Sequence, residues 1–247
     1  MATAVATQPP KRILKPTWSS PRTTSGSERD LSKPLHPVAY ASPIRAIQFT
    51  ATKLAGCFVV QFPAFPDSRG FFVKAFQKSL FEAQGLEADF AEVFYTTSHK
   101  RVLRGMHFQV PPSDHAKLVY CTSGSICDMA LDLRVGSPSF GQHEVYELSE
   151  RFNNAVFLPR GIAHGFYVRE APSVVVYHVT TEHNPAHDQG ILWSSFGAPW
   201  PDSNPVVSAR DAAFPALDGF RSPFRYVPNR PIHAHTPPTP DSEGHAP

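Results

Sequence analysis

Apolar residues in the middle of the chain recur at every second position, in runs too short for helices, and each run ends in a turn former. "GCFVVQFPAF" meets a "DSRG" turn and continues as "FFVKAF"; then follow "VLRGMHFQV", "AKLVYCTSG", "SICDMALDLRV", "HEVYELS", "NAVFLP", "HGFYVRE" and "SVVVYHVT". A period of two with Gly, Pro, Asn and Ser at the joints predicts many short strands in an antiparallel sandwich or barrel. The 19 phenylalanines and abundant valines suit strands. One segment departs from the period: "FQKSLFEAQGL", with apolar residues at Phe76, Leu80, Phe81 and Leu86, predicts a short helix ended by Gly85. No internal repeat is evident, so residues 45–225 read as one β-rich domain.

The flanks have no such period. Residues 1–44 and 226–247 are rich in Pro, Ser and Thr and read as disordered tails. The basic N-terminal stretch has some transit-peptide character, but its prolines break the amphipathic helix such a peptide needs. A net charge of +2 gives no basic field for nucleic acid. No apolar run approaches the roughly 18 residues of a membrane span. Cys57, Cys121 and Cys127 are too few and too unpatterned for a disulfide framework or a zinc site. They predict a reducing, cytoplasmic setting.

Several residues are out of place on apolar strands. In "VLRGMHFQ" a strand carries Arg104 and His107, and in "PRGIAHGF" His164 follows a Pro-x-Gly turn. Period-two geometry is expected to send Arg104 toward the same lumen as His107. Lys117 opens the apolar strand "KLVY", and Asp128 and Asp132 alternate with Ala130 on one face. A metal reading takes His107, Asp114 and His164 as ligands in a cupin-like pattern. Gln109 then occupies the middle position and is a poor partner for a first-row metal, and Lys117 adds a cation nearby. A general-base reading takes His107 as a proton acceptor near neutral pH, oriented by a carboxylate. A structural reading takes each polar group as a core residue with a satisfied partner.

The order and spacing of "DSRGFF", "VLRGMHFQ", "KLV", "DLRVGSPSFG", "LPRGIAHGF", "VVVY" and "ILW…PWP" resemble the dTDP-4-dehydrorhamnose 3,5-epimerases over roughly residues 50–216. The resemblance implies an all-β, cupin-type jelly roll with a few short helices, working without metal or other cofactor. It also implies epimerisation of a nucleotide-linked 4-keto-6-deoxy sugar at carbon 3, carbon 5 or both. His107 matches the base, Asp211 its paired carboxylate, Tyr177 the proton donor and Lys117 the lysine near the substrate carbonyl. Arg69, Phe72, Arg104, Asp128 and His164 match substrate-binding positions. A homodimer is implied, with a nucleotide-diphosphate 4-keto sugar as substrate and neither nucleic acid nor membrane as partner. The chain departs from the family pattern at Lys74, at Glu92–Val93–Phe94–Tyr95–Thr96, at His183 and at "WSS", Trp193 to Ser195. These departures fall on sugar and nucleotide recognition rather than on proton transfer. A metal-dependent cupin and a non-catalytic sugar-nucleotide-binding cupin are the competing readings.

Overall fold

A computed structural model describes residues 44–228. The expected tails lie outside the described residues apart from their inner ends. Of these, Tyr226 donates its N–H to the Val135 carbonyl and takes the Arg134 guanidinium over its ring, so it packs with the domain.

The strands are β1 (Gln48–Ala51), β2 (Phe58–Gln61), β3 (Ala64–Asp67), β4 (Gly70–Val73), β5 (Glu92–Ser98), β6 (Leu103–Gln109), β7 (Lys117–Asp132), β8 (His143–Ser149), β9 (Asn154–Leu158), β10 (Ile162–Val179) and β11 (Asp188–Gly190). The helices are α1 (Lys78–Ala83) and the single turn α2 (Ala209–Ala212). α1 ends as its sequence predicts. Gly85 takes φ +71°, and the N–H groups of Gly85 and Leu86 reach back to the carbonyls of Glu82 and Phe81. Phe81 is completely buried and anchors the helix on the sheet.

The strand boundaries differ from the sequence reading: β1, β5 and β11 are additional, "GCFVVQFPAF" divides into β2 and β3, and four runs merge into two long strands. "AKLVYCTSG" and "SICDMALD" form one continuous strand, β7, and "HGFYVRE" and "SVVVYHVT" form another, β10. Gly124, at φ +74°, lies at the middle of β7, where a Cβ would sit 2.4 Å from the Glu170 carbonyl oxygen. The register of β10 against β7 shifts around Glu170 to Val175. Each long strand therefore serves two layers. Lys117–Tyr120 and Ser173–Val179 pair with β9 and β5, while Ser125–Leu131 and His164–Tyr167 pair with β8 and β6. Side chains from both halves, including Val119, Val156, Tyr177, Ile126, Leu148 and Phe166, make one core cluster between the layers. The outer faces are covered by α1 on one side and by the C-terminal segment around Phe224 and Trp200 on the other.

β6 carries the irregularity that shapes the site. Arg104 and His107 are three residues apart, which in a regular strand places them on opposite faces. In β6 the pairing runs His107↔His164 and then Arg104↔Phe166, so one extra residue is inserted as a bulge. The bulge restores Arg104 to the side of His107, and both line the same pocket. It needs glycine twice. Gly105 has φ +139°, and a Cβ there would lie 2.5 Å from the Gly165 Cα. A Cβ on Gly165 would meet the Arg104 carbonyl and the Met106 sulfur at 2.8 Å. The glycines of "RGMH" and "AHGF" thus exist for each other. Gly105→Ala is expected to lose about 3 kcal/mol of stability, from strain at positive φ and overpacking. Urea unfolding followed by circular dichroism measures this, with Gly219→Ala, where a Cβ meets nothing within 4 Å, as the mild comparison.

Candidate active site

The inner faces of the two layers open at one end into a pocket. His107 enters from β6 and His164 directly across from it on β10. Tyr177 and Lys117 enter from the opposite layer, where Tyr177 pairs with Val119 and Lys117 with Val179. The period of two places all four inward, because inward positions on β10 are even before its register shifts and odd after them.

His107 donates from Nε2 to Asp211 Oδ1 at 2.9 Å, which leaves the lone pair on Nδ1. Asp211 comes from α2, some hundred residues further along the chain. Its N–H donates to the Ser208 Oγ that caps the turn, and its other oxygen accepts the Gly105 N–H at 3.0 Å. Burial alone would raise the Asp211 pKa, yet the bonds from His107, Gly105 and Ser208 outweigh it and hold the carboxyl below the usual carboxylate range. The Phe214 ring lies edge-on to His107, with centroids 5.7 Å apart. A Cβ on Gly190 would sit 2.3 Å from that ring, so glycine there makes room for it.

Lys117 is buried, and its Nζ reaches across to donate to the His107 carbonyl at 3.0 Å. Burial brings its pKa down to about 8, against the pull of Asp188 and Asp128. Tyr177 is buried with its ring stacked on Phe94, and burial, with Asp128 nearby, raises its pKa. The phenol therefore keeps its proton at neutral pH. His164 bonds Asp128 at 2.7 Å, and burial holds it neutral to lower pH than usual although Asp128 pulls the other way.

Not every residue singled out in the sequence reaches the pocket. Asp128 is completely buried behind His164. Asp132 lies away from the lumen, bound by Arg134, Ser137 and Ser139 in a buried cluster. Arg69 and Phe72 stand on the β3–β4 hairpin, a separate two-stranded sheet, with the Arg69 side chain 88% exposed and ion-paired to Asp67. Gln109 is a structural tie: its Oε1 accepts the Asn184 N–H, and its Nε2 donates to the Ser113 and Glu182 carbonyls. Asp114 faces Arg160. Among the described residues no group of three or more His, Cys, Asp and Glu is arranged to hold a metal ion.

Among the pocket residues that a sequence reading does not single out are His115, Asp188 and Arg210. Asp188 accepts from Arg210 at 2.7 Å and pairs with His183 at 3.1 Å at the mouth. Nothing in their spacing marks them, although Arg210 does adjoin Asp211 in sequence. The His115 Nδ1 lies 3.1 Å from the Gln109 amide nitrogen.

The two-layered, open-ended sandwich with this pocket between its layers is a jelly roll of the cupin type. Residues 51–219 match the dTDP-4-dehydrorhamnose 3,5-epimerase family. The epimerase of Shigella flexneri is 36% identical over 163 residues, covering 65% of this chain and 90% of that protein. The Legionella pneumophila enzyme, solved in complex with dTDP-4-keto-L-rhamnose, superposes with a TM-score of 0.70 at 30% identity over 73% of this chain and 99% of that one. A 3′-monoepimerase from Streptomyces bikiniensis, solved with dTDP-quinovose, gives a TM-score of 0.64 at 29% identity, covering 68% and 86%. The chain belongs to the dTDP-4-dehydrorhamnose 3,5-epimerase family and is an isomerase.

Acid stability tests the packing of the pocket floor. Burial, with Lys117 and Arg160 close by, takes the His115 pKa from 6.5 down to about 3. The unfolded chain therefore binds the extra proton, and stability is complete above about pH 6.5 and declines as the pH falls. His115→Gln is expected to flatten the decline between about pH 6 and pH 4 by on the order of 1 kcal/mol per pH unit. Urea midpoints measured across that range for the two proteins check it.

Proposed function

We propose that the protein epimerises a nucleotide-linked 4-keto-6-deoxy sugar by proton abstraction and return through an enolate. The observation that carries this reading is that His107 and the Tyr177 phenol enter one pocket from opposite layers, with Lys117 spanning between them. Carbons 3 and 5 both flank the ketone, so their protons are acidic. His107 Nδ1, oriented by Asp211, takes the proton from one face. The electron pair moves onto the ketone oxygen, where the Lys117 ammonium stabilises the charge. Tyr177 returns a proton to the carbon from the other face. The phenolate and imidazolium then reset by exchange with solvent. Arg104 and His164 line the same space and hold the sugar nucleotide, arginine being suited to a diphosphate by its forked donors.

Arg69 and Phe72 are given their place by a homodimer. The β3–β4 hairpin exposes Phe65, Phe71 and Phe72 and stands apart from the main sheet, which suits a segment that packs on a second copy and completes its site. Among the described residues no helix is long and apolar enough to cross a membrane. The three cysteines are free and buried, which suits a reducing, cytoplasmic compartment.

In deuterium oxide, dTDP-4-keto-6-deoxyglucose is expected to gain deuterium next to the ketone. His107→Ala removes this gain, and Tyr177→Phe keeps exchange on the His107 face while losing inversion. Absence of exchange in the unaltered protein with any 4-keto sugar nucleotide defeats the assignment. Light scattering is expected to give twice the chain mass, and replacing Phe65 and Phe72 with Ser to shift it toward the monomer.

A further inference from the structure

Two rings contact Tyr177. On one side its ring stacks on Phe94, with centroids 4.7 Å apart and planes 12° from parallel. The His164 ring also meets it, with centroids 5.8 Å apart and planes 75° apart. Neither neighbour is loose. Phe94 is the direct cross-strand partner of Tyr177, on a strand paired with β10 from Glu92 to Ser98. His164 is tied to the buried Asp128 at 2.7 Å. The phenol ring is thus covered on one face by Phe94 and touched by His164, and both of these neighbours are themselves fixed.

We propose that Phe94 is a positioning residue that fixes the Tyr177 hydroxyl and so confines inversion to one of the two carbons flanking the ketone. This rests on the functional reading above. Carbons 3 and 5 lie on either side of the carbonyl. One donor oxygen serves both only if the phenol swings between them or the sugar shifts in the pocket. Phe94 opposes the first by covering one face of the ring. Its own ring is 40% exposed and lines the pocket, so it also limits how far the sugar moves toward β5. Both outcomes exist among proteins of this fold, since the chain superposes on enzymes described as 3,5-epimerases and on one described as a 3′-monoepimerase. Phe94 falls within the segment where the chain departs from the family's usual polar run. An apolar ring stacked on the phenol also keeps water from it, in keeping with the raised pKa of Tyr177.

The test follows product configuration at both carbons. The full chain is incubated with dTDP-4-keto-6-deoxyglucose, the ketone is reduced, and carbons 3 and 5 are assigned by NMR. The unaltered protein is expected to invert one carbon at least tenfold faster than the other. Phe94→Asn and Phe94→Leu remove the stack and bring the two rates within about threefold. Phe94→Tyr keeps the stack and restores the preference. A difference titration of phenolate absorbance, taken against Tyr177→Phe, is expected to show Tyr177 ionising at lower pH in Phe94→Asn. Comparable inversion at both carbons by the unaltered protein overturns the proposal alone. So does an unchanged ratio in both the Asn and Leu variants. No inversion or exchange at either carbon overturns the functional reading and takes this proposal with it.

Discussion

The two oxygens of Asp211 hold the site together. One accepts the His107 Nε2–H and the other the Gly105 N–H, so a single carboxylate orients the imidazole and closes the bulge that turns Arg104 inward. That carboxylate is nearly buried, and a buried carboxylate is costly unless its oxygens are matched by donors. Here His107, Gly105 and, through the cap, Ser208 supply the matching. The C-terminal segment that delivers Asp211 also lays Phe214 against His107 through the space left by Gly190. Removing the carboxylate therefore disturbs an imidazole, a strand and a loop together.

Around this pair the buried charges are arranged in opposition. Lys117 carries its ammonium into the space between the layers, where burial lowers its pKa and the carboxylates of Asp188 and Asp128 sustain the charge. His164 is kept neutral by burial despite its bond to Asp128. A phenol that holds its proton faces an imidazole whose tautomer a carboxylate sets, with a cation between them. These are the three elements the proposed reaction calls for: a base for the proton removed from one face, a cation for the enolate oxygen and a donor of a second proton to the other face.

Much of the fold was legible along the chain. The period of two, the turn residues and the Gly85 stop gave the strand-rich sandwich and, among the described residues, the one helix of more than a single turn, because these signals are local. The merging of four apolar runs into β7 and β10 was not legible. Nothing nearby in sequence marks Gly124 as the point where a strand passes from one layer to the other; the close approach of the Glu170 carbonyl does. Arg104 is instructive in the same way. Its expected direction was reached only because a bulge cancelled an odd spacing, and that bulge depends on Gly165, sixty residues away.

The residue types of the site, and the family to which the chain belongs, were set by sequence: an imidazole and a lysine on apolar strands are chemical anomalies that survive without coordinates, and the phenol is marked by the resemblance to the family. Their mutual placement was decided by tertiary structure alone. Only the long-range pairing of β5, β6, β7 and β10 brings Lys117 to the His107 carbonyl and Tyr177 against Phe94 and His164. It also left Asp128 behind the wall and Arg69 and Phe72 out on a hairpin. The physical reason is that side-chain type is a property of one position, whereas burial, facing and distance are properties of pairs that the chain brings together from far apart.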